Sequence, residues 1–146
     1  MEERFETFTV LINRISRNIR RIKNTEMAEY NLKSHHISCI YYLYICGNLT
    51  STELKDKCEE DKATISRSID YLEQNGYIFC LSDNAKRYKA MLSLTEKGKE
   101  AGKRISAKIE NVLSGISTEL TEEQRLDFYK SLRIISTNLE KISKKD

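Results

Sequence analysis

Apolar residues recur at helical intervals over most of this chain. A stripe at steps of three and four residues predicts a long N-terminal helix, and it comprises Phe5, Phe8, Ile12, Ile15, Ile19 and Ile22. A second helix is predicted from about Ser34 to Cys46. Two further stripes predict two long C-terminal helices, one with Ile105, Ile109, Val112 and Ile116, the other with Leu126, Tyr129, Leu132, Ile135, Leu139 and Ile142. A Thr121-x-x-Gln124 capping box begins the second of these helices.

Between these helices, residues 50–94 predict a helix, a turn, a second helix and a hairpin. A Thr50-x-x-Glu53 capping box begins a helix over Ser51–Cys58. An acidic turn follows at 59–61, and a second helix is expected from about Lys62 to Asn75, ended by Gly76. Strand-like runs at 77–81 and 90–94 flank a long basic tip. The predicted fold class is mainly α with a small β-hairpin wing (α+β), a winged helix-turn-helix with N- and C-terminal helices.

The helix after the acidic turn combines one apolar face with short polar side chains and a cation on its other faces. Ile65, Ile69 and Leu72 form the apolar face. Small hydroxyl side chains let a backbone approach phosphates, and an arginine can bond two acceptors of guanine, so the helix suits a DNA major groove. A basic hairpin tip can contact the phosphates or the adjacent minor groove. The alternatives are a merely solvated helix face and a winged helix that binds protein. The predicted DNA-binding residues are Thr50, Ser51, Lys62, Thr64, Ser66, Arg67, Asp70, Lys86, Arg87 and Lys89.

Five short motifs follow one another in a characteristic order. They are Leu54, then Ile65-Ser66-Arg67, then Leu72-Glu73-x-x-Gly76-Tyr77-Ile78, then Lys86-Arg87-Tyr88-Lys89, then Leu94-Thr95-Glu96-Lys97-Gly98. Together they resemble the MarR family of winged helix-turn-helix transcriptional regulators, over nearly the whole chain. Many members carry Asp-x-Arg in the wing, whereas Asp83 and Arg87 stand four apart here, which leaves open which wing cation contacts DNA.

The resemblance implies a small-molecule partner as well as DNA. Similar regulators often hold a small phenolic or anionic effector in a crevice near the helix predicted over 34–46. The candidate effector residues are Tyr41 and Tyr44. The alternative is that tyrosines at helical spacing simply belong to the core.

The three long terminal helices carry more apolar surface than a small winged domain can cover. Association of two chains through these helices is the expected solution, and packing of the three helices within one chain is the alternative. The predicted domains are one protomer over 1–146, with a winged DNA-binding part at 34–94 and dimerisation parts at 1–30 and 95–146. The predicted dimerisation residues are Phe5, Phe8, Ile12, Ile15, Ile109, Val112, Ile116, Leu132, Ile135 and Leu139.

Composition limits the functional classes. The 146 residues contain no proline and five glycines, 32% are charged, and the net charge is +3, so clustering of the cations matters more than their excess. No signal peptide or membrane-spanning run of about 18 apolar residues is visible, which predicts a cytoplasmic protein with no membrane partner. No motif of a hydrolase, phosphate-binding loop or metalloprotease occurs, so no enzyme, no catalytic residue and no cofactor is expected.

The cysteines and histidines offer two further hypotheses. The four cysteines lack C-x-x-C spacing and should be free thiols in a reducing compartment. Cys39 and Cys46 are seven apart on one predicted helix, which allows a thiol-based redox sensor, although buried cysteines packing as small hydrophobes are the more ordinary interpretation. Adjacent helical histidines at 35 and 36 point about 100° apart, so no metal site is predicted.

The function expected from the sequence is regulation of transcription by sequence-specific binding of double-stranded DNA. A homodimer on a pseudo-palindromic operator is expected, because a two-fold dimer places two recognition helices about 34 Å apart, one turn of DNA. Repression is favoured over activation, since a dimer that occupies a promoter blocks polymerase without further contacts. The alternatives are a protein-interaction module and a thiol-based redox sensor.

Overall fold

Helices dominate the computed structural model, which describes residues 3–81 and 89–144, and the side chains of 7–81 and 89–144. The helices are α1 (Glu3–Glu26), α2 (Ser34–Cys46), α3 (Ser51–Cys58), α4 (Lys62–Gln74), α5 (Glu96–Ile116) and α6 (Glu122–Ser143). The strands are β1 (Leu49–Thr50), β2 (Ile78–Cys80) and β3 (Met91–Leu94), and a 3-10 turn occupies Ala28–Tyr30. The predicted fold class is confirmed.

The chain divides into two compact units, residues 1–108 and residues 109–146. Every buried apolar side chain of the described residues lies in the first unit, between Met27 and Ile105. Its centre consists of Ile40 and Leu43 from α2, Leu54 from α3, and Ile65 and Leu72 from α4. The predicted apolar stripe of α4 is therefore a core face. Ile105 also belongs to this core, so the first half of α5 is part of the winged unit.

The sheet has three antiparallel strands in the order β1-β3-β2. Leu49 pairs with Leu92, and on the other side of β3 Ile78 pairs with Leu94. The hairpin strands are shorter than predicted, and β1 was not predicted at all, since two residues are too few to show a period of two. The hairpin tip at 82–88 lies outside the described residues.

Local signals set most helix ends where the sequence predicts them. Thr50 and Thr121 each accept a hydrogen bond from the backbone amide three residues later, so both predicted capping boxes are present. Asp61 caps α4 in the same way, with Oδ1 2.6 Å from the Thr64 amide nitrogen. Gly76 follows α4 with φ +76°, a left-handed conformation that glycine adopts without steric cost.

A tight junction joins the end of α4 to the start of α5. Thr95 Oγ1 donates to the Gly76 carbonyl at 2.6 Å and accepts from the Gly98 amide at 3.1 Å. The Thr95 amide donates to the Tyr77 carbonyl at 3.0 Å. Lys97 Nζ donates to the Asn75 carbonyl at 2.7 Å and lies 4.3 Å from the centre of the Tyr77 ring. The Leu94-Thr95-Glu96-Lys97-Gly98 motif therefore fixes β3 and α5 against the C-terminal end of α4.

The second unit is helical and buries none of its described residues. Helix α6 has an exposed apolar series that includes Leu126, Ile135, Leu139 and Ile142. An amphipathic helix in a protein gains most of its stability from packing of its apolar face. None of the helices in the described ranges has the length and apolar character needed to cross a membrane.

Candidate nucleic-acid interface

One face of α4 is left uncovered by the rest of the described chain. Lys62, Ser66, Arg67 and Asp70 are exposed, whereas Ile65, Ser68, Ile69 and Leu72 are buried. The exposed set therefore occupies one continuous side of a 13-residue helix. Ala63 and Gln74 share that side and were not predicted, although the helical period alone places them there.

The N-terminus of α4 is held by hydrogen bonds among short polar groups. The Thr64 amide bonds the Asp61 carboxylate, and that bond, with the nearby Arg67 charge, lowers the pKa of Asp61 below its usual range. Arg67 Nη2 lies 3.4 Å from Thr64 Oγ1. Ser68 is buried and donates to the Thr64 carbonyl at 2.7 Å. The exposed end of α4 is thus ordered while its cations, Lys62 and Arg67, remain accessible.

The buried histidine His36, which belongs to α2, packs against α4. His36 stacks on Tyr71 of α4 with ring centres 4.2 Å apart, and the Tyr71 hydroxyl donates to the Asn31 carbonyl at 2.7 Å. His36 Nδ1 accepts from the Lys33 amide at 3.1 Å, which requires the neutral ring. Burial, then the like charges of His35 and Lys33, lower the pKa of His36 to about 4. This histidine therefore acts as a neutral packing group at the junction of α2 and α4.

The remaining predicted DNA-binding residues lie in three places. Thr50 and Ser51 are half-buried at the start of α3, and the Thr50 hydroxyl already accepts the Glu53 amide. Lys89 is exposed beside β3. Lys86 and Arg87 lie outside the described residues, so the wing contribution stays a prediction.

The tyrosines proposed for an effector have different surroundings. Tyr41 is half-buried with its ring 5.4 Å from that of Tyr42. Tyr44 is exposed and lies against Gly102, where an added Cβ would be 2.8 Å from the Tyr44 side chain. The structure therefore places Tyr44, and not Tyr41, in an open groove beside α5, whose other lining residues are Glu96, Lys97, Lys99, Glu100 and Lys103.

The two cysteines of α2 also differ. Cys39 is completely buried, and Cys46 is exposed at the end of the helix. Interaction with the Cys58 thiol at the end of α3, together with burial, raises the pKa of Cys39, and the sequence did not suggest this pairing because the two residues are far apart in the chain. Within 3–81 and 89–144, no group of three or more His, Cys, Asp or Glu side chains is arranged to hold a metal ion.

Comparison with known proteins places this geometry in a family. Residues 36–113 match the family model described as "Winged helix DNA-binding domain". The chain is 24% identical over 123 residues to the uncharacterized HTH-type transcriptional regulator YwoH of Bacillus subtilis, covering 84% of this chain and 89% of that protein. The matching model belongs to a DNA-binding class and not to an enzyme class, as expected.

Solved structures agree over almost the full length. Staphylococcus aureus MarR, in complex with salicylate and kanamycin, matches with a TM-score of 0.79 and 17% identity over 93% of this chain and 91% of that one. Staphylococcus aureus MepR, in a complex with DNA, matches with a TM-score of 0.81 and 16% identity over 94% and 98%. The chain therefore belongs to the winged helix DNA-binding domain family, and it has the fold of the MarR regulators that its motifs resemble.

Proposed function

We propose that this protein regulates transcription by binding double-stranded DNA sequence-specifically, with α4 as its recognition helix. The observation that carries this proposal is the continuous exposed face of α4, where Lys62, Ser66, Arg67 and Asp70 project from a helix anchored on its other side by Ile65, Ile69 and Leu72. A helix rigidly held by its core face and exposed along its polar face is the element that enters a major groove in such domains.

The exposed face of α4 carries few positive charges, and this affects how strongly it would attract DNA without regard to sequence. Two cations lie on the exposed side of α4, and the acidic residues Glu59, Glu60 and Asp61 precede them. A face with few cations releases few counterions from DNA, so α4 by itself should contribute little non-specific attraction at physiological salt. Base contacts by Arg67 should then make a large contribution to specificity.

Selection from genomic DNA fragments across a salt series tests the partner class. An inverted repeat with half-sites about one turn apart is expected among the retained fragments. Retention without sequence preference that vanishes at physiological salt would contradict the proposal and favour a winged helix that binds protein.

Substitution of Arg67 tests the recognition helix itself. Arg67→Ala should weaken binding to the selected operator by about 1–3 kcal/mol and relax base preference, because a bidentate contact to guanine is lost. Arg133→Ala removes an exposed arginine of α6 and is the matched control, with unchanged affinity expected. Equal losses on operator and random DNA for Arg67→Ala would refute the recognition role.

The second part of the proposal is that two chains associate through their terminal helices. On α1, Ile12, Ile15 and Ile19 are 37%, 49% and 47% exposed, and on α6 Ile135 and Leu139 are 37% and 50% exposed. Large apolar residues repeated along helices without a covered face are characteristic of an interface. The other predicted dimerisation residues are half-buried (Phe8, Ile109, Val112 and Leu132) or exposed (Ile116), and the Phe5 side chain lies outside the described ones.

Sedimentation measures the association directly. A homodimer has twice the 17.1 kDa mass of the chain, and Leu139→Asp should shift it towards the monomer by burying a charge at the interface. Phe79→Asp places the same charge at a similarly exposed apolar position, 43% against 50%, on the sheet, and should leave the mass unchanged. A wild-type monomer at micromolar concentration would contradict this part alone.

We further propose that the protein represses transcription and that a small effector molecule controls its binding to DNA. A dimer seated on a promoter excludes polymerase, which favours repression. The groove beside Tyr44 combines an aromatic ring with three lysines and two glutamates, and this lining, with one cation in excess, suits a small aromatic acid. Salicylate is the probe: it should weaken operator binding in wild type but not in Tyr44→Ala. Identical titrations for the two proteins would remove Tyr44 from an effector role.

A further inference from the structure

Four arginines form a continuous exposed face along the middle of α1. All four side chains are exposed, and we call them the arginine face: Arg14, Arg17, Arg20 and Arg21. At about 100° per residue they lie almost opposite the exposed isoleucines of the same helix, which are Ile12, Ile15, Ile19 and Ile22. The arginine face is therefore separate from the apolar face that the proposed dimer would cover.

Acidic neighbours do not balance the charge of the arginine face. Residues 7–25 contain five cations and no aspartate or glutamate. In the part of the chain that the structure describes, none of the four arginine side chains forms an ion pair or a hydrogen bond. The fifth cation, Lys23, donates to Ser38 Oγ at 3.2 Å, and the next acid along α1, Glu26, is paired with Lys108 at 3.1 Å. The positive charge of the arginine face is therefore available to an anionic partner.

The chemistry of the arginine face fits the backbone of a DNA duplex. A planar guanidinium donates two parallel N–H bonds to one phosphate, and the exposed Asn13 on the same side can donate as well. The four arginines span about 10 Å of helix axis, over which a duplex presents about three phosphates on each strand. No aromatic residue occurs between Phe8 and Tyr30, so the helix offers no ring on which the bases of a single strand could stack.

The C-terminal end of α1 lies beside the proposed recognition helix. The Tyr71 hydroxyl of α4 donates at 2.7 Å to the carbonyl of Asn31, in the segment that follows α1. Tyr71 follows Arg67 by one helical turn, so this segment borders the Arg67 edge of the exposed face of α4. That face has only two cations. The phosphate contacts that hold a duplex in register must therefore come largely from other elements.

We propose that the arginine face of α1 binds the phosphate backbone of the operator duplex, in the part that flanks the bases contacted by α4. The 24 residues of α1 extend over about 36 Å, the length of about 10 base pairs. An operator longer by about 10 base pairs on each side therefore contains the phosphates that the arginines contact. The flanking position rests on the proposed function of α4, whereas the contact with duplex phosphates does not.

The salt dependence of binding measures this contact. Four neutralised phosphates steepen the slope of log affinity against log salt by about 3.6 per chain. Between about 50 and 200 mM salt, this contribution lowers the affinity for the long operator by roughly 150-fold more than α4 and the wing alone would. A short operator that ends at the inverted repeat lacks the flanking phosphates and should have the shallower slope.

Two triple variants with the same loss of charge test the site. The test variant removes three members of the arginine face together: Arg14→Ala, Arg17→Ala and Arg21→Ala. The control removes three exposed cations of α6: Lys130→Ala, Arg133→Ala and Lys141→Ala. On the long operator the test variant should lose about 2.7 of the slope per chain and at least tenfold in affinity at low salt, and the control should match the wild type. Alanine favours helix, so α1 is expected to persist, and circular dichroism verifies this.

Replacement of the same three arginines by lysine supplies the conservative variant. Lysine retains the charge but not the paired N–H donors, so the slope on the long operator should stay at the wild-type value while affinity falls only a few-fold. On the short operator, the alanine, lysine and control variants should all bind as the wild type does. This pattern would not arise if the arginines only supported the fold.

Four results would overturn the proposal. They are equal slopes for the alanine variant and the α6 control, equal losses on the short and long operators, a smaller sedimenting mass for the alanine variant, and capture of a second duplex by protein held on an immobilised short operator. The third result would assign the arginines to a contact between chains, and the fourth to a separate DNA molecule. Vesicles of anionic phospholipid should not bind the protein, because insertion of the isoleucines would turn the arginines away from the headgroups.

A random duplex of the same length separates this inference from the proposed function. If the wild type prefers no sequence, the proposed function fails, and the salt slope on the random duplex still decides the arginine face. A shallower slope for the alanine variant would then support the contact with phosphates, and an unchanged slope would refute it. If the wild type prefers its operator and the alanine variant keeps the wild-type slope on both duplexes, only the arginine face is refuted.

Discussion

Replacing Gly98 by alanine tests the junction that ties the hairpin and α5 to the end of α4. A Cβ built at Gly98 would lie 2.0 Å from the Tyr77 carbonyl oxygen and 3.0 Å from Leu94 Cδ2. The carbonyl cannot turn away freely, because it accepts the Thr95 amide at 3.0 Å. The helix start must therefore shift away from α4.

The expected change in the free energy of unfolding for Gly98→Ala follows from two opposing effects. Overpacking of a well-packed site costs about 1–3 kcal/mol, and contact with a hydrogen-bonded backbone group favours the upper end of that range. Alanine gains up to about 1 kcal/mol over glycine in a helix. The net loss for Gly98→Ala should be about 2 kcal/mol.

Two glycines of the same helix supply matched controls. A Cβ at Gly115 meets no described atom within 4 Å, so Gly115→Ala should be neutral or stabilise the protein by up to about 1 kcal/mol. Gly102→Ala should fall between these two variants, because the atoms met at 2.8 Å belong to the Tyr44 side chain, which is 39% exposed and can yield partly.

Urea unfolding followed by circular dichroism, at one fixed protein concentration, measures the series. A loss of about 2 kcal/mol corresponds to a midpoint lower by about 1 M for a urea slope near 2 kcal/mol/M. Gly98→Ala as stable as Gly115→Ala would refute the close approach of α5 to Tyr77.

Three further predictions concern the core and its polar supports. Thr95→Val removes both hydroxyl bonds, to the Gly76 carbonyl and from the Gly98 amide, and should cost about 1–3 kcal/mol in the same assay, whereas Thr95→Ser should cost less than half as much. Leu72→Ala empties a fully buried position and should cost about 2–5 kcal/mol; a loss below about 1 kcal/mol would place Leu72 outside the core. Because the pKa of His36 is about 4 in the folded protein and about 6.5 when unfolded, the unfolded chain binds more protons between these values, so stability should fall as pH decreases from 6.5 to 4. His36→Gln should have a flatter pH profile over that window, and superimposable profiles would show that His36 does not titrate in this way.

Local patterns in the sequence were sufficient for most of the fold. The helical stripes, the caps at Thr50 and Thr121 and the stop at Gly76 depend on neighbours within one or two turns, and each lies where it was predicted. The exposed face of α4 follows from its period of 3.6 in the same way. The candidate residues Lys62, Ser66 and Arg67 therefore follow from the amino-acid sequence alone.

Contacts between distant parts of the chain were decided only by tertiary packing. The approach of Gly98 to the Tyr77 carbonyl and the pairing of β1 with β3 join residues 21 to 43 positions apart. No local pattern encodes such pairs, because each depends on how whole helices and strands settle against a shared core. The sequence by itself determined which elements form and which faces are apolar, whereas their packing decided which side chains meet and which remain exposed.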